Sequence, residues 1–367
     1  MSRWDKIVAI VPGGSNTDLV ITGVPPAAPG ELVTTGRFTV GPGGKSRNVS
    51  QMMAAYLGPG TVAFLGRTLA MPERFADLDR LPGAAAARSA AAPAGDAAAG
   101  DIMPYVYALL ARVPLAALRR AGVVTDFVVQ VPYGGTAAGV AEILVSPEGE
   151  NTIYLASGVN ADFCEADVDA ASPVFEAVGR RAASGAGGIM PLALEIPLAT
   201  AVHAARKARE HGMTVVLDPG GIARGDCIDD VLSLADVVKP NEHEARMLAG
   251  VEVADDASAA RAARVLHERH GVRQTVITAG ARGAWHVDAA GAVAFYPAYR
   301  PPEIADTTGC GDQFMAVMCA HLATDPADTA AALRHAVVAA ALQAARVGIQ
   351  PVPRDEVEAH VQRYRGT

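Results

Sequence analysis

The sequence predicts an α/β fold of three layers, in which helices cover both faces of a mostly parallel central sheet and a small second β-sheet stands apart. Three observations support it. Apolar β-branched runs alternate with helical patterns for most of the chain, which is typical of a covered parallel sheet. Several helical patterns end in glycine, a common helix terminator. Residues from about 14 to 42 and from about 128 to 156 instead show alternating strands with little helix, and predict a small β-sheet lid or interface.

The main sheet and its helices are expected at apolar segments of suitable length and period. The strand candidates, in chain order, are KIVAIV (6–11), TVAFLG (61–66), TVVLDPG (214–220), DVVKPN (236–241) and QTVITAG (274–280). The helix candidates are 46–58, 198–212, 241–250 and 257–271. In the small sheet, GVAEILVSPEGENTIYLA (139–156) predicts a hairpin that turns at SPEGEN.

The whole chain, 1–367, is predicted to form a single domain with one insertion at about 68–100. Within that insertion, residues 81–100 are rich in alanine, glycine and proline and contain almost no large apolar side chain. Such a composition leaves little to bury, so a mobile surface segment is favoured over a functional lid helix.

Composition narrows the class of partner. The formal net charge is −8 and no block of Lys or Arg occurs, which argues against nucleic acid or an anionic membrane surface. A phosphorylated ligand stays open, because helix N-termini bind phosphate.

The four cysteines show no metal-ligand spacing, and so few cysteines suggest a reducing compartment. The first apolar run is too short for a signal peptide core or a membrane span. A cytoplasmic protein is therefore expected.

Residues 41–48, GPGGKSRN, resemble the end of a phosphate-binding P-loop. The P-loop pattern requires a glycine five positions before the Gly44–Lys45 pair, and Thr39 stands there. The preceding segment also alternates polar and apolar residues, as a half-solvated strand does. The P-loop interpretation therefore fails, and these glycines need another role.

The strongest local motif is DTTGCGDQF at 306–314, where Gly309, Cys310 and Gly311 precede Asp312 and an apolar helix follows. Glycines at a loop-to-helix junction let backbone N–H groups point outward together, and with the helix dipole they form an anion hole. An Asp at such a place can also be an ordinary helix cap.

This motif resembles the C-terminal signature of the ribokinase-like (PfkB) sugar kinases, and GPGGKSRNVSQMMAAYLG resembles their N-terminal signature. Other segments, among them KPNEHEA and VITAGARGAW, follow in the family's order. The resemblance is closest to ribokinase and implies the ribokinase-like fold. It also implies transfer of the γ-phosphoryl group of ATP to a hydroxyl of ribose or a related sugar, with Mg²⁺ and with Asp312 as general base beside the anion hole.

The resemblance also implies the binding residues. Those on the sugar side are Asn16, Asp18, Gly43, Gly44, Lys45, Asn48 and Glu195. Those on the nucleotide side are Asp218, Asn241, Thr278, Gly280, Gly283 and His335. Glu244 is implied to hold Mg²⁺ through water, and Asp306 matches a ligand of the monovalent cation, usually K⁺, found in ribokinases. Because GIQPVP (348–353) lacks the Ser of ribokinases, activation by K⁺ stays open.

The chain departs from the family pattern at Arg47, where ribokinases have a small residue. Arg47 either points to solvent or reaches an anionic group of the substrate, and the solvent position is favoured for an Arg at a helix start. Three other functions stay open: a kinase for a ketohexose or sugar phosphate, a nucleoside kinase, and a sugar-binding regulator without turnover. The strand-rich lid also suggests a homodimer.

Overall fold

The computed structural model describes residues 3–72, 103–147, 151–222, 225–301, 303–364 and 366. In chain order its strands are β1 (Ala9–Pro12), β2 (Asn16–Thr22), β3 (Arg37–Gly43), β4 (Val62–Leu69), β5 (Val128–Val131), β6 (Val140–Val145), β7 (Asn151–Ala156), β8 (Ile189–Ala193), β9 (Thr214–Asp218), β10 (Val237–Val238), β11 (Gln274–Thr278), β12 (Gly283–Val287) and β13 (Val293–Pro297). Its helices are α1 (Lys45–Leu57), α2 (Met103–Arg120), α3 (Glu165–Ala170), α4 (Ser172–Ala183), α5 (Leu198–Glu210), α6 (Asp229–Leu232), α7 (Glu242–Ala249), α8 (Asp256–His270), α9 (Cys310–Leu322), α10 (Thr329–Ala344) and α11 (Arg354–Val361).

Within the described residues, nine strands form the large sheet in the order β13-β12-β11-β10-β9-β8-β1-β4-β5. The pairs from β5 through β11 are parallel, and β12 and β13 add an antiparallel edge. Strands buried on both faces read as continuous apolar runs, and β8, β9 and β10 do so. The predicted, mostly parallel α/β sheet is therefore confirmed.

Two helical layers cover this sheet. Alternate side chains of β1 enter the two layers: Val11 packs with the cluster that contains α1, α9 and α10, and Ile10 with the cluster that contains α4 and α5. This follows from the period of two along a strand. The predicted strands and helices appear at the expected places, with small shifts at their ends.

The small sheet has the order β3-β2-β6-β7 in the part of the chain that the structure describes. The predicted hairpin between β6 and β7 is confirmed by antiparallel pairing, although 148–150 of its turn lie outside the described residues. The lower boundary predicted near 128 is wrong, because β5 pairs in parallel with β4 at the edge of the large sheet. An edge strand covered on one side alternates in the same way as a lid strand.

The predicted insertion at 68–100 falls only partly within the structure. Thr68 and Leu69 are buried and end β4, so they belong to the sheet. Residues 73–100 lie outside the described residues. Among the residues that the structure does describe, none of the helices is long and apolar enough to span a bilayer.

The order of strands determines where polar side chains gather. Parallel strands end at one edge of their sheet, and ligands of open α/β sheets bind at that edge. Glu195 follows β8, Asp218 ends β9, and Lys239 follows β10. Helices α1 and α9 pack against each other, and both carry candidate residues in their first turn.

Candidate active site

Helix α1 begins at a glycine turn that lies against the small sheet. Gly44 precedes the helix with φ of 97°, a conformation that favours glycine. A Cβ on Gly43 would lie 1.8 Å from Asp18 Oδ1, so only glycine lets β3 approach that carboxylate. The backbone N–H of Lys45 donates to Glu195 Oε2 at 2.9 Å. The glycines therefore bring α1, the small sheet and the end of β8 together.

Asn48 and Asp312 connect the first turns of α1 and α9. Asn48 Nδ2 donates to Asp312 Oδ2 at 2.7 Å, and both residues are buried. Lys45 Nζ lies 3.9 Å from Asp312 Oδ1. The predicted base thus has a neutral donor on one oxygen and a cation near the other.

A chain of alternating charges extends from Asp312 to the end of β10. Lys45 Nζ lies 3.6 Å from Asp218 Oδ1, and the buried Lys239 Nζ lies 3.0 Å from Asp218 Oδ2. The N–H of Gly220 donates to Asp218 Oδ1 at 2.8 Å. Buried charges need such partners to offset their desolvation.

These contacts move the pKa values in different directions. Burial raises the pKa of Asp312, although Lys45 and Asn48 oppose it. Burial would also raise the pKa of Asp218, but Lys239, Lys45 and Gly220 outweigh it and lower that pKa to about 2. Burial would lower the pKa of Lys45, yet Asp218 and Asp312 raise it above its ordinary value. Asp218 is therefore a fixed anion, whereas Asp312 is a carboxylate of raised basicity.

Glu195 stands two residues beyond β8, at the predicted place on the sheet edge. Burial raises the pKa of Glu195 to about 7, against the lowering effect of the Lys45 N–H and ammonium. This carboxyl therefore titrates near neutrality.

Asn16 and Asp18 lie on β2, beside the glycine turn. Asn16 is buried, and its Oδ1 accepts a hydrogen bond from Asn160 Nδ2 at 2.8 Å. Asn160 also bonds the backbone of Ser15 with both ends of its amide, at 3.1 and 3.2 Å. Burial raises the pKa of Asp18 to about 6, although the Arg47 charge lowers it. The structure thus brings the predicted sugar residues of the small sheet beside those of α1.

Arg47 does not point to solvent, so the favoured sequence interpretation is wrong. Its exposed fraction is 0%. The guanidinium donates to the Pro42 carbonyl at 2.8 Å and to the side-chain oxygens of Asn48 and Gln51. Pro42 on β3 and the first turns of α1 enclose the side chain from both sides, which sequence position alone does not reveal.

The loop before α9 contains the glycines of the predicted anion hole. Gly309 has φ of 76°, and a Cβ there would lie 2.4 Å from Ile349 Cδ1. A Cβ on Gly311 would meet no atom within 4 Å. The first N–H groups of a helix have no partner inside it, so those at the start of α9 are available to a bound anion. Burial raises the pKa of the Cys310 thiol to about 12, which keeps it neutral.

On the predicted nucleotide side, Asn241 and Glu244 bond each other. Asn241 Oδ1 accepts from the Glu244 N–H and Glu244 Oε2 from the Asn241 N–H, both at 2.8 Å. This is a capping box. Asn241 also bridges in parallel to Thr278, so the two predicted segments lie side by side. The carboxylate of Glu244 contributes to the raised pKa of Lys45, which connects this side to the base.

The glycines after β11 are required by the backbone. Gly280 and Gly283 have φ of 51° and 129°. A Cβ on Gly283 would lie 2.0 Å from the Tyr296 carbonyl oxygen. The loop between β11 and β12 therefore approaches β13 more closely than a larger residue permits.

Asp306 and His335 have structural partners. Asp306 accepts the N–H groups of Thr308 and Gly348, each at 2.8 Å, and so fastens two loops beside the anion hole. The His335 ring lies 4.1 Å from that of His321, centroid to centroid. These contacts belong to loop and helix packing, and the cation role of Asp306 and the nucleotide role of His335 stay predictions.

Sequence reasoning missed two residues of this site. Lys239 follows an apolar strand and directly precedes Pro240. A Lys at the end of a buried strand can be recognised in a sequence, because Lys is almost never buried without a partner. Asn160 lies in the short 3₁₀ turn Gly158–Asp162, and no pattern in the sequence marks it. Within the described residues, no group of three or more His, Cys, Asp or Glu side chains is placed to hold a metal.

The chain is similar to known proteins in sequence and in fold. A family model described as pfkB family carbohydrate kinase matches residues 110–355. The ribokinase of Haemophilus influenzae is 37% identical over 177 residues, which cover 48% of this chain and 53% of that protein. The deoxyribokinase of Salmonella typhi is 30% identical over 229 residues, which cover 62% and 70%. The chain thus spans about half the length of the Haemophilus relative.

Among solved structures, that of Arabidopsis thaliana ribokinase complexed with ribose and ATP superposes with a TM-score of 0.74. The superposition covers 96% of this chain and 98% of that chain, at 21% sequence identity. An identity this low establishes the shared ribokinase-like fold alone.

Proposed function

Because the chain belongs to the pfkB family of carbohydrate kinases, we propose that it transfers the γ-phosphoryl group of ATP to a hydroxyl of ribose or a closely related sugar. The observation that carries this proposal is the environment of Asp312. This carboxylate lies at the first turn of α9, 2.7 Å from an amide donor and 3.9 Å from the Lys45 ammonium. Phosphoryl transfer needs a base beside a site of positive potential, and both are joined here.

In this mechanism Asp312 accepts the proton of the attacking sugar hydroxyl. Its raised pKa makes it a stronger base than an exposed aspartate. The Lys45 ammonium and the Asn48 amide favour its ionised form and oppose the rise in its pKa. The sugar would lie between Asp18, Asn48 and Glu195, whose oxygens and amide suit hydroxyl groups.

The start of α9 receives the phosphoryl group. The open space over Gly311 leaves room for phosphate oxygens, and the N–H groups of Gly311 and Asp312 would donate to them. Mg²⁺ bound to ATP would neutralise phosphate charge, held through water by Glu244. Water-mediated binding fits the residues present, because Glu244 already accepts the Asn241 N–H. Within the part of the chain that the structure describes, no group of three or more His, Cys, Asp or Glu side chains is placed to hold a metal directly.

A free sugar is favoured over a sugar phosphate. A phosphate on the substrate would call for a cation beyond Lys45, which already lies near Asp218 and Asp312. Arg47 is not that cation, because Pro42, Asn48 and Gln51 enclose it. The names of the two relatives leave ribose and deoxyribose as the first candidates.

The test is ATP consumption by the purified protein with Mg²⁺, with and without K⁺. The panel contains ribose, deoxyribose, fructose, their phosphates and nucleosides. Turnover with ribose or deoxyribose and not with the phosphates supports the proposal. Turnover only with a phosphorylated sugar or a nucleoside contradicts its substrate class. Sugar binding without ATP consumption would favour a regulator, the competing function. Faster turnover in K⁺ would support a cation near Asp306.

The small sheet further supports a homodimer. Cross-strand pairing puts Phe38, Val40 and Tyr154 on the face opposite Asp18. Their exposed fractions are 59%, 48% and 61%. Glu142 lies on the same face, between Leu19 and Tyr154. A second copy of the same sheet would cover the exposed apolar side chains around it.

A further inference from the structure

Arg47 is a buried cation whose bonds join the small sheet to the base. One of its terminal nitrogens donates to the Pro42 carbonyl on β3, at 2.8 Å, and to Asn48 Oδ1. The other donates to Gln51 Oε1, one turn further along α1. Burial lowers the pKa of Arg47 to about 10, so it still carries its proton at neutral pH. Its Nε is buried without a hydrogen-bond partner.

These bonds fix the orientation of the Asn48 amide. An amide can present either its oxygen or its NH₂ group in a given direction. A guanidinium only donates and an ionised carboxylate only accepts. With Arg47 on one side and Asp312 on the other, one orientation satisfies both neighbours: oxygen toward Arg47, nitrogen toward Asp312. Without Arg47, the amide oxygen would lose its donor, and the Asn48 side chain could take other rotamers in which its nitrogen no longer reaches Asp312.

We propose that Arg47 is a positioning residue of the phosphoryl-transfer reaction, which holds the Asn48 amide so that it donates to the base Asp312. The role of Asp312 as a base rests on the proposed kinase function. The hydrogen-bond relay from Arg47 through Asn48 to Asp312 does not depend on turnover. Arg47 does not touch substrate in this arrangement, because its exposed fraction is 0%.

Asp312 also faces other charges, which set the background of any pH experiment. These groups are Lys45, Asp18, Glu195, Asp218, Lys239 and Cys310. Of these groups, Asp18 also responds to the replacement of Arg47, because the Arg47 charge lowers the pKa of Asp18. The titration is therefore compared in an Asp18→Asn background, in which a moved midpoint reports the loss of Arg47 and of the oriented Asn48 donor. Both favour the ionised carboxylate, and their loss raises the midpoint.

The kinetic test compares Arg47→Gln and Arg47→Lys with the natural protein. Arg47→Gln is expected to lower kcat by about tenfold to a hundredfold, because misplaced catalytic groups lower rates by such factors. The KM for the sugar should change little. The acid limb of the kcat–pH profile should move to higher pH. Arg47→Lys retains the charge but is shorter and lacks the second nitrogen that bonds Gln51, so it recovers only part of kcat. Arg67→Gln is the control. Arg67 lies on β4, apart from the relay, and its Nε is 3.0 Å from Asp167 Oδ2.

A second readout requires no turnover. The side-chain amide resonance of Asn48, assigned by its loss in Asn48→Ala, is followed against pH by NMR. Its shift should titrate with Asp312, disappear as a titration in Asp312→Asn, and move to higher pH in Arg47→Gln. If the natural protein turns over no sugar, the moved midpoint still supports the relay while the kinase proposal fails.

Two outcomes overturn the inference. One is an unchanged Asn48 midpoint in both Arg47 variants, which makes Arg47 a packing residue. The other is a raised sugar KM with unchanged kcat and midpoint, which makes it a substrate contact. If Arg47→Gln does not fold, Arg47→Lys decides between these results by the same midpoint.

Discussion

Asn48 Nδ2 donates to Asp312 Oδ2 at 2.7 Å across the interface between α1 and α9. The two residues are 264 positions apart in the chain, and each belongs to a motif that is ambiguous by itself. A glycine turn before a helix and an aspartate at a helix start are both common. Their contact joins an amide to the carboxylate proposed as the base, at the start of a helix, and this arrangement favours the proposed phosphoryl transfer over simple capping.

Replacement of Asp312 tests the base directly. Asp312→Asn removes the proton acceptor but keeps the size and an oxygen for Asn48, so kcat should fall by about 10²–10⁴-fold. The thermal midpoint should stay the same or rise, because burial disfavours the ionised carboxyl that is removed. Initial rates of ADP formation and a melting curve measure the two effects. A kcat within about tenfold of the natural value would contradict the assignment.

Gly311→Ala tests the anion hole without destabilising the fold. Nothing lies within 4 Å of the added methyl group, and Ala favours a helix over Gly by about 1 kcal/mol. The variant should therefore melt at the same or a higher temperature, yet lose most of its turnover because the methyl group occupies the space for phosphate. Gly134→Ala, which also meets nothing within 4 Å, is the matched control. Full activity of Gly311→Ala would remove the anion hole from the mechanism.

Glu195 makes stability depend on pH. Its pKa is raised from 4.5 to about 7, so the stability it contributes is present below 4.5 and is lost as the pH rises through 7. The loss is on the order of 3 kcal/mol, at about 1.4 kcal/mol per unit. Glu195→Gln should flatten the fall in unfolding free energy between pH 4.5 and 8, measured with urea. Glu268→Gln, on the exposed surface of α8, should not; an equal slope in Glu195→Gln would refute the effect.

The apolar face of the small sheet predicts the state of assembly. The natural protein should have twice the 37.6 kDa chain mass in light scattering, and Phe38→Asp should shift it toward the monomer, because a charge would be buried in the interface. Met247→Asp alters another exposed apolar residue, on α7, and should leave the mass unchanged. A monomeric natural protein would end the dimer proposal.

Much of this architecture was predictable from periodicity. Strands such as β8 and β9 are short, apolar and bounded by turns, and their polar successors Glu195 and Asp218 mark the functional edge. The starts of α1 and α9 were predictable from their glycines. The place of β5 was not, because an edge strand of a large sheet and a strand of a small sheet show the same half-buried alternation.

The burial of charged side chains was also not predicted from the sequence. Arg47 at a helix start is expected on the surface, and its enclosure depends on the Pro42 carbonyl, which β3 of the small sheet brings against α1. Lys239 is buried because Asp218 on the neighbouring strand compensates its charge. Such compensation is a property of pairs that meet only after folding, so no local window of sequence contains it.

The order of the large sheet has a consequence for synthesis on the ribosome. β1 lies in the interior of the sheet between β4 and β8, and β8 begins only at Ile189. During translation, β1 and β4 can pair early, but the other edge of β1 stays unpaired until the middle of the chain emerges. Unpaired apolar edges recruit other chains. We therefore expect nascent chains that end before β8 to require a chaperone, and the full chain not to require one.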